Sequence, residues 1–379
     1  MNWQPVFLWS DALIFALLAA VLGLAVYIRG REHLVEPWRA VARRPMAMGA
    51  ALVLAVFVLI GLADSLHYRE RLPDGPDGTA QVSGEVLSAF DVLLGGLRTE
   101  TEKTYSAPLA IRLYAMEFVE RGGRQVRDYP RLQYGGAHLA DDAALWADIV
   151  TRSAAGMLAG TALAAALVVL AGVWRARKRG ITLKAWFRRA WRGECNYPAR
   201  TLAVMLVAIL ATTGALVSLS QAYHVFGTDK VGQDVLYITL KSIRTGLLIG
   251  TLTTLVTLPI AVALGIAAGY FRGWVDDAIQ YVYTVLNSIP GVLLIAAAVL
   301  MVQVVIEAHA DAFDTAAARA DVRLLALCLI MGVTSWTGLA RLLRGETLKL
   351  SGLDYVDAAR AFGVSHARII GRHIFPNVF

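Results

Sequence analysis

Long apolar runs dominate the chain, and polar residues gather between those runs instead of alternating with them. A helix needs about 20 apolar residues to cross ~30 Å of hydrocarbon, with about 17 as a lower limit. Runs of that length fall at Ala12–Ile28, Met46–Ala63, Ser153–Trp174, Thr201–Leu219, Gly246–Phe271, Ala278–Ile306 and Val322–Ala340. The pattern predicts an all-α polytopic membrane protein with about seven spans. Between Asp234 and Thr245 the run carries Lys241 and Arg244, which predicts a separate interfacial helix before the span that starts at Gly246.

Two polar stretches show helical periodicity of their own. The long connection 64–151 opens with the turn-forming Pro73-Asp74-Gly75-Pro76-Asp77-Gly78, then repeats apolar residues at Val86, Phe90, Leu93, Leu94 and Leu97, and again at Leu109, Leu113 and Met116. That spacing predicts a small helical subdomain. In Ile181–Arg192, Lys184, Arg188 and Arg192 fall on one face, with Leu183, Phe187, Ala190 and Trp191 on another. An amphipathic basic helix of this kind lies in the headgroup plane or anchors the neighbouring span.

Composition strengthens the membrane reading, since 57% of the 379 residues are hydrophobic and only 17% charged. The net charge of +7 reflects basic residues at span ends, so it argues for a lipid bilayer as partner and not for nucleic acid. Basic residues fill the first connection (Arg29 to Arg44) and the third (Arg175 to Arg192), which predicts that both are cytoplasmic. The N-terminus and insert 64–151 are then external, and the segment from Arg341 onward is cytoplasmic. Met1–Ser10 lacks a basic leader region, so the first run reads as a retained span.

Small residues recur at Gly156/Gly160, Gly246/Gly250 and Gly265/Gly269, spacings that let two backbones approach closely. Pro259 and Pro290 lie inside predicted spans. Together with Asn287 they mark either hinges and pathway positions or tolerated bends. The sequence holds no phosphate-cradling Gly-x-x-x-x-Gly-Lys-Ser/Thr, no His-Glu-x-x-His and no Cys-x-x-Cys, and Cys195 and Cys328 have no metal-site company. His366 and His373 read as a surface pair. The span middles hold almost no ionisable residues, which argues that any transport draws its energy from outside this chain.

The last basic segment predicts two short helices joined at an elbow. Ser351 and Asp354 fit a capping pattern, Gly363 supplies a left-handed stop, and Ser365 is placed to cap the second helix. Tyr355-Val356-Asp357-Ala358-Ala359-Arg360-Ala361-Phe362-Gly363, followed by Pro376-Asn377, resembles the EAA loop of ABC-importer permeases. The longer stretch, Tyr355 through Asn377, is close to the second permease subunit of oligopeptide and dipeptide importers. Gly227-Thr228-Asp229-x-x-Gly232-Gln233-Asp234 and Gly269-Tyr270-Phe271-Arg272-Gly273-Trp274-Val275-Asp276 fit the same family in the same order.

The resemblance covers residues 200–379 and implies a type I importer core whose coupling loop, 344–377, docks on a separate ATPase. Tyr355, Asp357, Ala358, Ala359, Arg360, Gly363 and Pro376 would form the docking element, and Gly227, Asp229, Gly232 and Asp234 an external motif. The implied partners are a homologous permease, two ATPase subunits that hold ATP and Mg, and a periplasmic substrate-binding protein, at a bacterial inner membrane. No cofactor and no bond chemistry is expected in this chain. Residues 1–180, with three spans and insert 64–151, fall outside the family pattern, as do the amphipathic helix and linker 181–199. Asp357 stands where the family has glutamate, and Gln233 where it has arginine. The family also continues for two spans past the position of Phe379, so the sequence is expected to be truncated. The readings from other classes are a secondary transporter or channel, and a membrane scaffold whose external insert binds a partner.

Overall fold

The computed structural model describes residues 3–71, 83–121, 124–309 and 315–378. The helices are α1 (Trp9–Arg29), α2 (Glu32–Arg43), α3 (Pro45–Asp64), α4 (Ala89–Leu93), α5 (Gly95–Thr99), α6 (Leu145–Lys178), α7 (Leu183–Arg192) and α8 (Ala199–Ser220). They continue as α9 (Val235–Phe271), α10 (Gly273–Ser288), α11 (Gly291–Ala308), α12 (Ala316–Thr334), α13 (Trp336–Leu350), α14 (Asp354–Ala361), α15 (His366–Ile369) and α16 (Phe375–Val378). Among the described residues, seven helical stretches are long and apolar enough to cross a membrane. The protein is therefore a multi-pass, predominantly helical membrane protein.

Three predicted boundaries are corrected. The stretch Asp234–Thr245 is not a separate helix, because Val235–Phe271 is one continuous helix. The run Ala278–Ile306 breaks between α10 and α11, where Pro290 cannot donate to the preceding turn and instead caps α11. Val322–Ala340 breaks at Ser335, between α12 and α13.

The chain forms two compact units, Met1–Val6 with Ile14–Arg244, and Phe7–Leu13 with Thr245–Phe379. In the first unit α6 and α8 run antiparallel, with Gly156 against Gly214 and Gly160 against Leu210. A Cβ added at Gly160 would stand 2.0 Å from the Leu210 carbonyl oxygen, so only glycine permits this approach. α7 begins at Thr182, whose side chain accepts from the Ala185 N–H, and ends at the left-handed Gly193. Its buried face is Trp186 and Ala190, packed on Ala176 of α6, whereas Trp191 is exposed.

Insert 64–151 is not the helical subdomain that its spacing predicts. α4 and α5 occupy the first periodic stretch, with Ser88 and Asp91 forming a capping box. A three-stranded antiparallel sheet joins β1 (Trp3–Val6), β2 (His67–Glu70) and β3 (Leu87–Ser88), and β4 (Glu117–Arg121) pairs with β5 (Arg124–Asp128). Leu109–Met116 is irregular: Leu109 has φ 56° and Ser106 bridges Leu113. Leu109 and Leu113 are inward-facing without belonging to a helix, and Ile111 and Leu139 cluster with Leu219, Tyr223 and Leu236. The Pro73–Gly78 turn lies outside the described residues.

In the second unit Gly265 and Gly269 of α9 face α13, where added Cβ atoms would meet the Ala340 carbonyl oxygen at 2.7 Å and Thr347 Cβ at 2.6 Å. Among the described residues, a Cβ added at Gly246 or Gly250 would meet nothing within 4 Å, so the same spacing serves no close approach there. The Ser10 N–H donates to buried Asp321 at 3.1 Å.

Candidate functional site

The elbow at the end of the chain is built outward from an apolar anchor. Val356 of α14, Ile369 of α15 and Ile374 are fully buried against Ile266 and Tyr270 of α9. Burying three aliphatic side chains contributes roughly 1.5–3 kcal/mol each. Having spent its apolar face on α9, α14 turns Tyr355, Asp357, Ala358 and Arg360 outward, with Ala359 half-buried against the anchor. Phe362 is 87% exposed at the tip, and Gly363 follows with φ 72° and nothing within 4 Å of where its Cβ would be. The elbow needs glycine for its backbone conformation and not for space.

Polar contacts fix the orientation of this anchor. Tyr270 Oη and His366 Nδ1 lie 2.8 Å apart, and the Arg360 guanidinium stacks over the Tyr270 ring at 4.9 Å. Arg360 also reaches Asp357 at 3.3 Å along the helix surface. Arg272, in the left-handed region at φ 54°, donates to Ser351 Oγ at 3.0 Å. Asp276 receives Arg344 Nε at 2.6 Å in a two-pronged pair, which holds its carboxyl below the usual range. Here the guanidinium outweighs the opposing effect of burial.

Two capping expectations are corrected. Ser351 ends α13, its hydroxyl donating to the Leu348 carbonyl, and α14 starts after Leu353 without a side-chain cap. Ser365 does precede α15 but accepts through its backbone carbonyl, not its hydroxyl. Before Pro376 the helix widens into a π turn at Ile370–Ile374, in which the Phe375 N–H reaches the Ile370 carbonyl. Proline cannot bond to the carbonyl four residues back, and the wider turn together with the Asn377 side chain, donating to the His373 carbonyl at 2.7 Å, accommodates it.

The motif Gly227–Asp234 is built in the opposite manner. Gly227 and Gly232 have φ of 77° and 79°, and Cβ atoms there would stand 2.2 Å from the Ser106 carbonyl oxygen and 1.7 Å from that of Glu102. Asp229 Oδ1 accepts from the Val231 and Gln233 N–H groups, closing the turn. Asp234, fully buried, accepts from the Leu236 and Tyr237 N–H groups at the start of α9 and meets His224 Nδ1 at 2.7 Å. Glu102 meets the other side of His224 at 3.4 Å and accepts from the N–H groups of Gln133, Tyr134 and Gly135. Burial pulls the imidazole pKa down, but the two carboxylates outweigh it and the net shift is upward.

Sequence reasoning missed Glu102, whose partners lie far away along the chain, and His224, whose ring only the folded turn brings between Asp234 and Glu102. It also misread Lys241, which reaches Asp64, Asp91 and Ser88 Oγ. A lysine inside an apolar run demands a buried carboxylate, and Asp64, at the end of an earlier apolar run, was the available signal. Pro259 lies within unbroken α9, and Asn287 Oδ1 accepts from Thr337 Oγ1 at 3.3 Å, tying the end of α10 to the start of α13. Among the described residues no group of three or more His, Cys, Asp or Glu could hold a metal ion.

These spans and the C-terminal elbow define a multi-pass, predominantly helical membrane protein. Residues 261–379 match the model of the family described as binding-protein-dependent transport system inner membrane component. The chain is 32% identical over 155 residues to the oligopeptide transport system permease protein OppC of Mycobacterium tuberculosis, covering 41% of this chain and 48% of that protein. Similar matches are the glutathione transport system permease protein GsiD of Pectobacterium atrosepticum, 33% identical over 40% of this chain and 45% of that protein, and the dipeptide transport system permease protein DppC of Bacillus subtilis, 31% identical over 41% and 43%. The chain spans about half the length of the curated relatives it matches. The resemblance to oligopeptide and dipeptide importer permeases thus holds for its C-terminal part.

Proposed function

We propose that the protein is a permease subunit of an ATP-driven importer for peptides or peptide-like solutes, and that it contributes transport and not bond chemistry. The observation that carries this reading is the elbow at Gly363. An apolar anchor holds it on α9, while Tyr355, Asp357, Ala358, Arg360 and Phe362 are exposed among the described residues. A large exposed aromatic beside a charged pair, on a rigidly mounted short helix, is suited to seating in a groove of another protein. The names of the relatives support peptide as the substrate class.

The proposed partners are a second permease, two ATPase subunits that supply ATP and Mg chemistry, and a substrate-binding protein on the external side. The proposed setting is a bacterial inner membrane, with the N-terminus and residues 64–151 external and residues 344–377 cytoplasmic. Closure of the ATPases would push on α14 and pass through Val356 and Ile374 to α9. Pro290 and Ser335, where apolar runs are interrupted, are the proposed points of flexure. Purification of the assembled complex tests this: Asp357→Lys and Gly363→Trp should release the ATPase and abolish ATP-dependent uptake while the permease remains folded. Retention of both activities would refute the coupling role.

A further inference from the structure

Within the first unit, α3, α6, α7 and α8 enclose an open groove of about 210 Å³. Its walls are apolar, supplied by Leu52 of α3, Leu167, Val168 and Ala171 of α6, and Leu202 and Leu206 of α8. At its other end it is bounded by three side chains that carry polar groups. Arg175, Trp186 and Tyr197 meet there, with the guanidinium stacked 4.9 Å over the Tyr197 ring. Leu167 and Arg175 are eight residues apart on one helix, so the apolar end lies about 12 Å from the cationic end.

The polar end is incompletely satisfied by the protein. Trp186 is 5% exposed and its Nε1 has no hydrogen-bond partner, and neither has the buried Tyr197 Oη. Arg175 has no carboxylate partner among the described residues. A buried indole N–H and a buried hydroxyl without acceptors are uncommon in native proteins and call for an outside partner. One cation, two free donors and a dry channel leading away from them match a molecule with an anionic oxygen-rich head and a hydrocarbon tail.

We propose that this groove is a binding site for an anionic phospholipid. The phosphate accepts from Arg175, Trp186 Nε1 and Tyr197 Oη, and part of one acyl chain lies along Leu167, Val168, Leu202 and Leu206. Lipid in the groove would fasten α7 to the α6–α8 pair, since Trp186 forms part of the groove and packs on Gly172 of α6. A free phosphate ion would leave the apolar channel unfilled, so a whole phospholipid is the occupant.

The intact chain, purified into nanodiscs of equal phosphatidylglycerol and phosphatidylcholine and then released for native mass spectrometry, should retain phosphatidylglycerol preferentially. Arg175→Gln should reduce that retention about fivefold, the worth of one interfacial cation. Ala203→Trp, which fills the groove without touching charge, should abolish it, and Arg188→Gln on the exposed face of α7 should leave it unchanged. If Arg175→Gln fails to fold by circular dichroism and elution volume, Ala203→Trp and Ala203→Phe decide the question alone. Equal retention of the two lipids by the unmodified chain would overturn the proposal. So would undiminished phosphatidylglycerol retention in the folded groove variants, or an equal loss in Arg188→Gln.

Discussion

The fold treats the two glycine-bearing motifs, Gly227–Asp234 and Asp357–Gly363, in opposite ways. In the first, every functional atom is consumed internally: the glycines admit the backbone of residues 102–106, and Asp234 is spent on His224 and on the start of α9. In the second, the glycine has empty space around it and the charged and aromatic side chains are displayed. A motif read from sequence identifies an unusual backbone, but burial decides whether that backbone serves the chain itself or a partner. Insert residues are thereby built into the Gly227–Asp234 motif, so part of the insert is structural support for the turn that opens α9.

The sharpest way to break this contrast is to add bulk at both glycines. Gly232→Val combines a left-handed backbone with overlap onto the Glu102 carbonyl, and should cost more than about 4 kcal/mol, seen as loss of folded protein on size exclusion. Gly363→Val should cost only about 1–2 kcal/mol, the backbone term alone, so its thermal unfolding should stay close to that of the unmodified chain. Equal destabilisation at the two sites would erase the distinction.

Asp234→Ala should come next, at about 3 kcal/mol, because it leaves His224 and the first N–H groups of α9 without their acceptor. Amide exchange at Gln133–Gly135 should accelerate with it if Glu102 and Asp234 act through the same imidazole. A smaller effect follows from pH. The folded pKa of His224 lies above the ordinary value of 6.5, so the stabilisation is complete below about pH 6.5 and is lost as pH rises through the raised value. Unfolding midpoints should therefore fall between mildly acidic and alkaline pH, and His224→Gln should flatten that dependence. The smallest stability effect belongs to Asp357→Lys, within about 0.5 kcal/mol for an exposed position, despite its expected loss of ATPase binding.

Apolar length made the spans legible, and the residue types of 355–363 made the elbow legible, because both are local properties. The break at Ser335 was hidden inside a continuous apolar run, where hydropathy does not change although the helix is interrupted, whereas Pro290 was marked as a hinge or bend but not as the end of a helix. Lys241 and Arg244 suggested a helix boundary because charges were weighed without their partners. Asp64, Ser65 and Asp91 lie about 150 residues or more upstream, and only the fold brings them together. The periodicity at Leu109, Leu113 and Met116 was coincidental, since the bridges from Ser106 and Arg112 set an irregular path there.

The three-glycine seam between α6 and α8 also has a consequence in time. Gly156, Gly160 and Gly214 belong to helices separated in sequence only by α7 and its flanking turns. Contacts this local close early, and synthesis runs from the N-terminus. The seam can zip shut as soon as α8 has emerged, while residues 245–378 are still unmade. A methyl group at Gly160 would therefore act as an assembly defect, felt during biogenesis as premature degradation of the nascent chain, before any finished protein existed to be impaired.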